Sequence, residues 1–170
     1  MLIRPATAED FEQIWPILRD IALAGETYAW PREVSREQAR AFWMGAPGAQ
    51  VSVAEDQGRV LGSAYIKPNQ LGGGDHVCNA GYAVAEAARG RGVAAALCRH
   101  TQVQAREQGF VAMQFNFVVS SNAAAVHLWT RLGFQTVGRL PGAFRHPTLG
   151  PVDALVMFKR LTDTAPAVPA

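Results

Sequence analysis

A stretch rich in glycine and arginine, residues 88–94 (Ala-Arg-Gly-Arg-Gly-Val-Ala), constrains the fold of this chain more than any other part of its sequence. An apolar run over 77–84, typical of a β-strand, precedes it. A helix-like run over 93–108 follows, and Gly109 is placed to stop that helix. A strand, a tight loop and a helix in succession can hold a phosphate group, because the first helical turn has free main-chain N–H groups and the positive end of the helix dipole.

The side chains of this loop fit the same interpretation. Gly90 and Gly92 carry no Cβ, so an anion could approach the main chain closely, and Arg89 and Arg91 would add charged donors. The alternative interpretation is a surface turn with two solvated arginines, which a short glycine motif on its own also fits. The pattern is neither the dinucleotide-binding G-x-G-x-x-G nor a Walker loop, because no Gly-Lys-Ser or Gly-Lys-Thr follows.

The hydrophobic periodicity along the chain predicts one mixed α/β domain over residues 1–161. Pro16 falls inside the first predicted helix and predicts a kink or a break there. A loop through Pro141, Pro147 and Pro151 is expected before the last strand, and residues 162–170 are expected to be disordered. Strands are predicted over 2–5, 50–55, 59–67, 77–84, 111–118, 134–139 and 154–160, and helices after an N-cap at Thr7, after a capping box at Ser35, over 93–108 and over 123–132.

The composition excludes several classes of protein. A formal net charge of +2 on 170 residues is too small to argue for nucleic-acid binding, and the arginines are scattered. No apolar run approaches the length of a transmembrane helix, and the N-terminus has no signal-peptide pattern. Cys78 and Cys98 have no metal-ligand spacing and are interpreted as free buried thiols in a reducing compartment. These observations predict a cytoplasmic protein.

A second motif supports the first. The segment 122–134 reads Asn-Ala-Ala-Ala-Val-His-Leu-Trp-Thr-Arg-Leu-Gly-Phe, an amphipathic helix that either Ser121 or Asn122 caps and a Gly stops. It resembles the signature helix of the GNAT superfamily of N-acetyltransferases, commonly N-x-x-A-x-x-x-Y-x-x-x-G-F. The register Arg89-x-x-Gly92-x-Ala94 resembles the pyrophosphate loop of the same superfamily. The two motifs occur in the superfamily's order, with a strand between them.

The resemblance implies a single-domain GNAT fold, with a mixed, mostly antiparallel sheet of about seven strands, four helices and splayed central strands. It also implies acetyl-CoA as cosubstrate, with its pantetheine arm between the splayed strands, and no metal. Since relatives are often dimers, a homodimer is one oligomeric state that the resemblance suggests. The side chain of Asn122 and the main chain at Tyr82 and Val84 would bind the arm. The residues implied at the cofactor are Tyr82, Val84, Arg89, Gly90, Arg91, Gly92, Val93, Ala94, Asn122 and Trp129.

The chain departs from the superfamily at two positions that carry chemistry. Asn79 stands where many relatives have a Glu that acts as general base, and Trp129 stands where many have a Tyr that protonates the leaving thiolate. An amide cannot act as a base, and an indole is only a hydrogen-bond donor. The usual acid/base pair is therefore missing, and Trp129 is expected to pack beside the cofactor.

Several short segments resemble acetyltransferases that act on the proline analogue azetidine-2-carboxylate. They include Ile66-Lys67-Pro68-Asn69, His76 to Gly81 and Phe115-Asn116. This resemblance implies that Asn79 and Asn116 position the acceptor. The competing interpretation is that the two amides pair with each other or with the main chain.

The resemblance implies an acetyl acceptor that is a small amine, such as an amino or imino acid. Two alternatives stay open: acetylation of a protein or peptide amine, and an acyl-CoA-binding sensor without catalysis. Tyr28 and Trp30 could line the amine pocket or simply pack in the core. His76 and His127 could relay a proton but are more commonly surface residues.

Overall fold

The computed structural model describes residues 1–162, in which seven strands and four α-helices follow one another in the predicted order. The strands are β1 (Leu2–Pro5), β2 (Gln50–Asp56), β3 (Arg59–Pro68), β4 (Val77–Val84), β5 (Ala112–Val119), β6 (Gln135–His146) and β7 (Gly150–Arg160). The helices are α1 (Phe11–Ala24), α2 (Arg36–Met44), α3 (Val93–Glu107) and α4 (Ala123–Arg131). The predicted α/β fold class is therefore confirmed.

The seven strands form one sheet in the order β1-β2-β3-β4-β5-β7-β6. All neighbouring strands are antiparallel except β4 and β5, which are parallel and pair over only three positions. These pairs are Val77 with Ala112, Cys78 with Met113 and Asn79 with Gln114. Beyond them β4 and β5 continue without pairing, which leaves a wedge-shaped opening, the β4–β5 gap, in the centre of the sheet. The expected splay of the central strands is present.

Helices cover both faces of the sheet and bury its apolar side chains. On one face α1 and α2 pack over the first strands, with Phe11, Ile14 and Trp43 fully buried. On the other face α3 and α4 pack over the sheet. The burial of these apolar surfaces is the main stabilising contribution in such a three-layer arrangement.

The expected Thr7 cap of α1 and the expected break at Pro16 were wrong. Thr7 does not cap the helix: α1 begins at Phe11, and Asp10 occupies the N-cap position while its side chain accepts the main-chain N–H of Thr7 at 2.7 Å. Pro16 does not break the helix, which runs through it to Ala24. Pro16 is exposed, so the carbonyl that loses its partner, that of Glu12, lies on the solvent side, where water can satisfy it.

The last two strands are longer than predicted. β6 and β7 continue into a hairpin whose turn is residues 147–149, so Pro141 and Pro151 lie in strands rather than in a loop. Pro141 is tolerated because β6 is an edge strand and its register shifts between Leu140 and Phe144. The prolines of this segment misled the prediction, because a proline is compatible both with a loop and with a bulged edge strand.

Both cysteines are free and buried, as expected. Burial raises the pKa of the Cys78 thiol to about 12. Among the helices of residues 1–162, none combines the length and the apolar character that a membrane crossing requires. Of the predicted tail, residues 163–170 lie outside the described residues.

Candidate active site

A cavity of about 1130 Å³ occupies the β4–β5 gap. It extends from the start of α3 and the loop before it, past α4, to the α1–α2 loop (residues 25–35) and the β6–β7 hairpin. Eleven of the twelve predicted site residues line it; Arg91 alone does not. The sequence motifs therefore meet in one place, although the chain supplies them from widely separated elements.

The loop before α3 has the open backbone that an anion site needs. Gly90 and Gly92 have φ angles of +75° and +77°, and a Cβ at either position would point into open space. Among the described residues, five main-chain N–H groups of this loop and the first turn of α3 have no hydrogen-bond partner: those of Gly90, Gly92, Val93, Ala94 and Ala95. Free N–H groups at a helix N-terminus favour a phosphate ligand.

The two arginines of this loop differ in position. Arg89 is exposed, lines the cavity and forms no ion pair within residues 1–162. Arg91 points away from the cavity, and its Nη2 lies 3.5 Å from Oδ2 of Asp56. The geometry thus supports Arg89 as a phosphate contact and leaves Arg91 as a surface charge beside an acidic partner.

Helix α4 contributes Asn122 and Trp129 to the same cavity. Oδ1 of Asn122 accepts the main-chain N–H of Ala125 at 3.2 Å, so the side chain caps α4 while its Nδ2 keeps its two hydrogens free within the described part of the chain. The Trp129 ring is 8 % exposed and packs against Tyr82, with centroids 4.9 Å apart, and against Phe115, with centroids 5.2 Å apart. Its indole N–H has no protein partner in residues 1–162.

Asn79 lies where β4 and β5 separate. It is 8 % exposed, and its Nδ2 donates to the main-chain oxygen of Gln114 at 2.9 Å, while its Oδ1 accepts from the Tyr65 hydroxyl at 3.2 Å. The Tyr65 ring lies against Gly81, where a Cβ would come within 2.4 Å of it. The side chain of Asn79 therefore fastens the last paired position of the two strands, and it bonds to the main chain as the competing interpretation expected.

Asn116 lies in the stretch of β5 where the register with β7 shifts. Its side chain is exposed, accepts from Nε2 of Gln114 at 2.8 Å and donates to Oδ1 of Asn69 at 2.7 Å. Asn79 and Asn116 do not bond to each other. Both line the cavity, so both remain able to contact a ligand there.

The α1–α2 loop lines the cavity at the end away from the loop before α3. The rings of Tyr28 and Trp30 are 5.4 Å apart and line the cavity. The Tyr28 hydroxyl donates to the main-chain oxygen of Tyr82 at 2.9 Å and accepts the main-chain N–H of Tyr82 at 3.0 Å. Burial raises the pKa of the Tyr28 hydroxyl well above its ordinary value, so the phenol is neutral.

Besides Tyr65, sequence reasoning missed two titratable side chains that line the cavity, Glu26 and His146. Glu26, in the α1–α2 loop, is the one carboxylate among the described lining residues. His146, at the end of β6, accepts the main-chain N–H groups of Thr148 and Leu149 at Nδ1, each at 3.3 Å. Its neutral ring therefore carries the proton on Nε2 and acts as a donor.

Glu26 could have been found from its position just before Tyr28 and Trp30. No pattern in the sequence marked His146 or the hairpin that carries it. His76 and His127 are exposed and do not line the cavity. Within residues 1–162, no group of three or more His, Cys, Asp or Glu side chains is arranged to hold a metal ion.

Comparison with known proteins agrees with this geometry. Residues 15–134 match the model of the acetyltransferase (GNAT) family. A GCN5-related N-acetyltransferase from Kribbella flavida has a similar structure, with a TM-score of 0.90 and 48% identity over 94% of this chain and 96% of that one. The putative acetyltransferase yncA of Salmonella typhimurium, solved with its cofactor acetyl-CoA, has a TM-score of 0.83 and 25% identity over 100% of this chain and 98% of that one.

A curated relative is more distant. The N-acetyltransferase aca1 of Schizosaccharomyces pombe is 29% identical over 136 residues, which are 71% of this chain. The matched region spans 65% of the length of that relative. The family match covers well over half of the chain and includes α3, its preceding loop and α4. On this evidence, the chain belongs to the acetyltransferase (GNAT) family.

Proposed function

We propose that this protein is an N-acetyltransferase that moves the acetyl group of acetyl-CoA to the amine of a small molecule carrying a carboxylate, such as an amino or imino acid. The observation that carries the proposal is the β4–β5 gap, which opens beyond Asn79 and is continuous with the free N–H groups at the start of α3. A gap of this kind can bind an extended arm whose phosphates lie at the helix N-terminus.

The residues that line the cavity fit acetyl-CoA along its whole length. The N–H groups of residues 90 and 92–95, together with Arg89, would hold the pyrophosphate. The main chain at Tyr82 and Val84 and the free Nδ2 of Asn122 would bind the pantetheine arm, and the Trp129 ring would pack beside it. When bound, acetyl-CoA supplies an acyl group activated as a thioester.

The far end of the cavity suits an amine that carries a carboxylate. Tyr28 and Trp30 present aromatic surface, which favours a cationic amine or its aliphatic body. The amides of Asn79 and Asn116 could bind the carboxylate. Lys67, the register partner of Asn79, forms no ion pair within the described residues, and its Nζ lies 5.7 Å from the centroid of the Tyr65 ring, which lines the cavity. It would add positive charge near Asn79.

An amine must be neutral before it can attack a thioester, so a group near the acceptor has to take its proton. Glu26 is the carboxylate of the cavity that could do so, directly or through water. His146 would instead donate from Nε2, which suits an acceptor carboxylate.

The experiment is thiol release from acetyl-CoA in the presence of four acceptor classes: amino acids, cyclic imino acids, amines without a carboxylate, and peptides with a free N-terminus. We expect turnover with the first two classes and at least tenfold less with the others. Turnover with peptides alone would support protein acetylation instead. Tight CoA binding without turnover of any amine would support a sensor.

The roles of the two amides can be tested separately from cofactor binding. A charged hydrogen bond is worth about 1.5–3 kcal/mol. Asn79→Ala should therefore lower kcat/KM for the acceptor roughly ten- to a hundredfold, and it should also lower the melting temperature because it removes the bond to Gln114. Asn116→Ala should lose less, without a stability change. Loss of CoA affinity, rather than of acceptor use, would contradict both roles.

A cytoplasmic location, a homodimer and a disordered C-terminal tail stay predictions.

A further inference from the structure

The hydroxyl of Tyr28 already makes the two hydrogen bonds that a bound pantetheine arm is expected to make with the main chain of Tyr82. It donates to the main-chain oxygen at 2.9 Å and accepts the main-chain N–H at 3.0 Å. Both main-chain groups face the β4–β5 gap. In an antiparallel pair only alternate residues bond directly across, and Val77 and Ala85 are such positions because they bond to Asn69 and Leu61. Tyr82 falls between them in this alternation, so its N–H and C=O point away from β3. A side-chain phenol therefore takes the place of a neighbouring strand at this one position.

Packing fixes this phenol in place. The Tyr28 ring contacts Trp30 and also Trp43, whose centroid is 6.1 Å away. Trp43 is fully buried, and its indole N–H donates to the Ser63 hydroxyl at 2.9 Å. The ring thus belongs to an anchored aromatic group, and only small shifts of the hydroxyl are compatible with it.

The hydroxyl lies between the anion site and the last paired position of the gap. An arm that runs from the loop after Val84 towards Asn79 passes Tyr82 on its way. Since the Tyr82 N–H can serve one good acceptor at a time, an arm that bonds to it would have to displace the Tyr28 hydroxyl from the main chain. With the ring still packed, a small shift would leave the freed O–H in the gap, within reach of an acyl group bound there.

We propose that Tyr28 is a catalytic residue whose O–H donates to the thioester oxygen and stabilises the negative charge that develops there during attack. The inference rests on the proposed function. In the overall reaction the amine nitrogen bonds to the carbonyl carbon, the C–S bond breaks with its electron pair on sulfur, and a proton from the amine ends on the thiol. The phenol keeps its own proton throughout. Its burial, which raises its pKa, favours such a donor role over that of an acid.

Tyr28→Phe tests this inference by titration, without knowledge of the acceptor. CoA and acetyl-CoA differ only in the acetyl group that Tyr28 contacts. Removal of the hydroxyl should leave CoA affinity equal or up to about tenfold tighter, because the phenol no longer competes for Tyr82. The preference for acetyl-CoA over CoA should fall about two- to tenfold. With an acceptor found, kcat should fall about 10²–10³-fold, as when an oxyanion donor is lost.

Each outcome decides one question, once circular dichroism shows that the variant is folded. An unchanged preference for acetyl-CoA, with both ligands bound, overturns the role of Tyr28 and leaves the proposed function standing. A lower preference with an unchanged kcat also overturns it, because the hydroxyl would then aid binding only. If the wild-type protein binds neither ligand, the proposed function fails and the inference falls with it.

Discussion

Gly92 has two properties that a substitution can separate. Its φ of +77° favours glycine, and its open side faces the cavity. Gly92→Ala should cost about 1 kcal/mol of folding free energy from the positive φ. It should also weaken CoA binding at least tenfold, because the methyl group occupies space that the phosphates need. Calorimetric titration with CoA measures the second effect.

Gly109 provides a matched control. It has a φ of +86° and open space around it, but it follows α3 at the end away from the cavity. Gly109→Ala should carry a similar folding cost and leave CoA affinity unchanged. Equal affinities for the two variants would remove the loop before α3 from the proposed cofactor site.

Trp129 is the residue at which the chain lacks the usual phenol. An indole keeps its proton, and the ring is packed against Tyr82 and Phe115. Trp129→Phe should therefore lower kcat by about tenfold or less, well under the 10²–10⁴-fold contribution of a positioned general acid. Steady-state rates from about pH 6 to 10 check this. A loss above a hundredfold in a folded variant with normal CoA affinity would make the indole N–H catalytic.

At the scale of elements, one carboxylate, that of Asp10, stabilises the start of α1. Asp10 is 7 % exposed and accepts from Arg4 at 2.7 and 2.9 Å and from the Thr7 N–H. The hydrogen bonds from Arg4 hold its pKa below the ordinary value. Asp10→Asn should lower the free energy of unfolding by about 2 kcal/mol at pH 7, as measured by urea denaturation.

The effect of Asp10 should depend on pH with a definite sign. Because the folded-state pKa is depressed, the carboxylate stabilises the fold above about pH 4. This contribution is lost as the pH falls through the folded-state pKa, so the wild type and Asp10→Asn should converge at low pH. Asp20→Asn is the control: Asp20 pairs with Arg19 on the surface, and its loss should change stability by less than about 0.5 kcal/mol at either pH.

The elements that could be predicted from the sequence are those whose signals are local. The capping box at Ser35, the Asn122 cap and the glycines around α3 act within one turn of chain, and each element formed as expected. Pro16 misled the prediction because a helix tolerates a proline on its solvent-exposed face, and the sequence around Pro16 did not show which face that is. The length of the β6–β7 hairpin depends on pairing between strands, which single residues do not encode.

At the scale of the whole molecule, the proposed cofactor end of the cavity carries clearer sequence signals than the proposed acceptor end. Loop and helix motifs predicted the residues of the first. The second depends on contacts between distant segments: Tyr28 and Tyr82 are 54 residues apart, and His146 reaches the cavity from the last hairpin. Asn79 was singled out because it stands where many relatives have a Glu, but its partners, Tyr65 and Gln114, come from two neighbouring strands and could not be predicted.

The three-pair contact between β4 and β5 has a consequence for local opening of the protein. It divides the sheet into two antiparallel halves, residues 2–84 and 112–160, that few main-chain hydrogen bonds join. Main-chain N–H groups that face the gap should therefore exchange with deuterium faster than those between β2 and β3. A ligand that bonds to both edges of the gap would join the halves into one cooperative unit.

Hydrogen exchange followed by mass spectrometry can detect this change. Saturating CoA should slow exchange in peptides that contain residues 80–84 and 115–119, on both sides of the gap, and should leave β2 and β3 unaffected. Slowing on one side only would mean that the ligand lies against a single strand. Protection on both sides would mean that the two halves of the sheet move relative to each other in the free protein, and that the bound substrate prevents this movement.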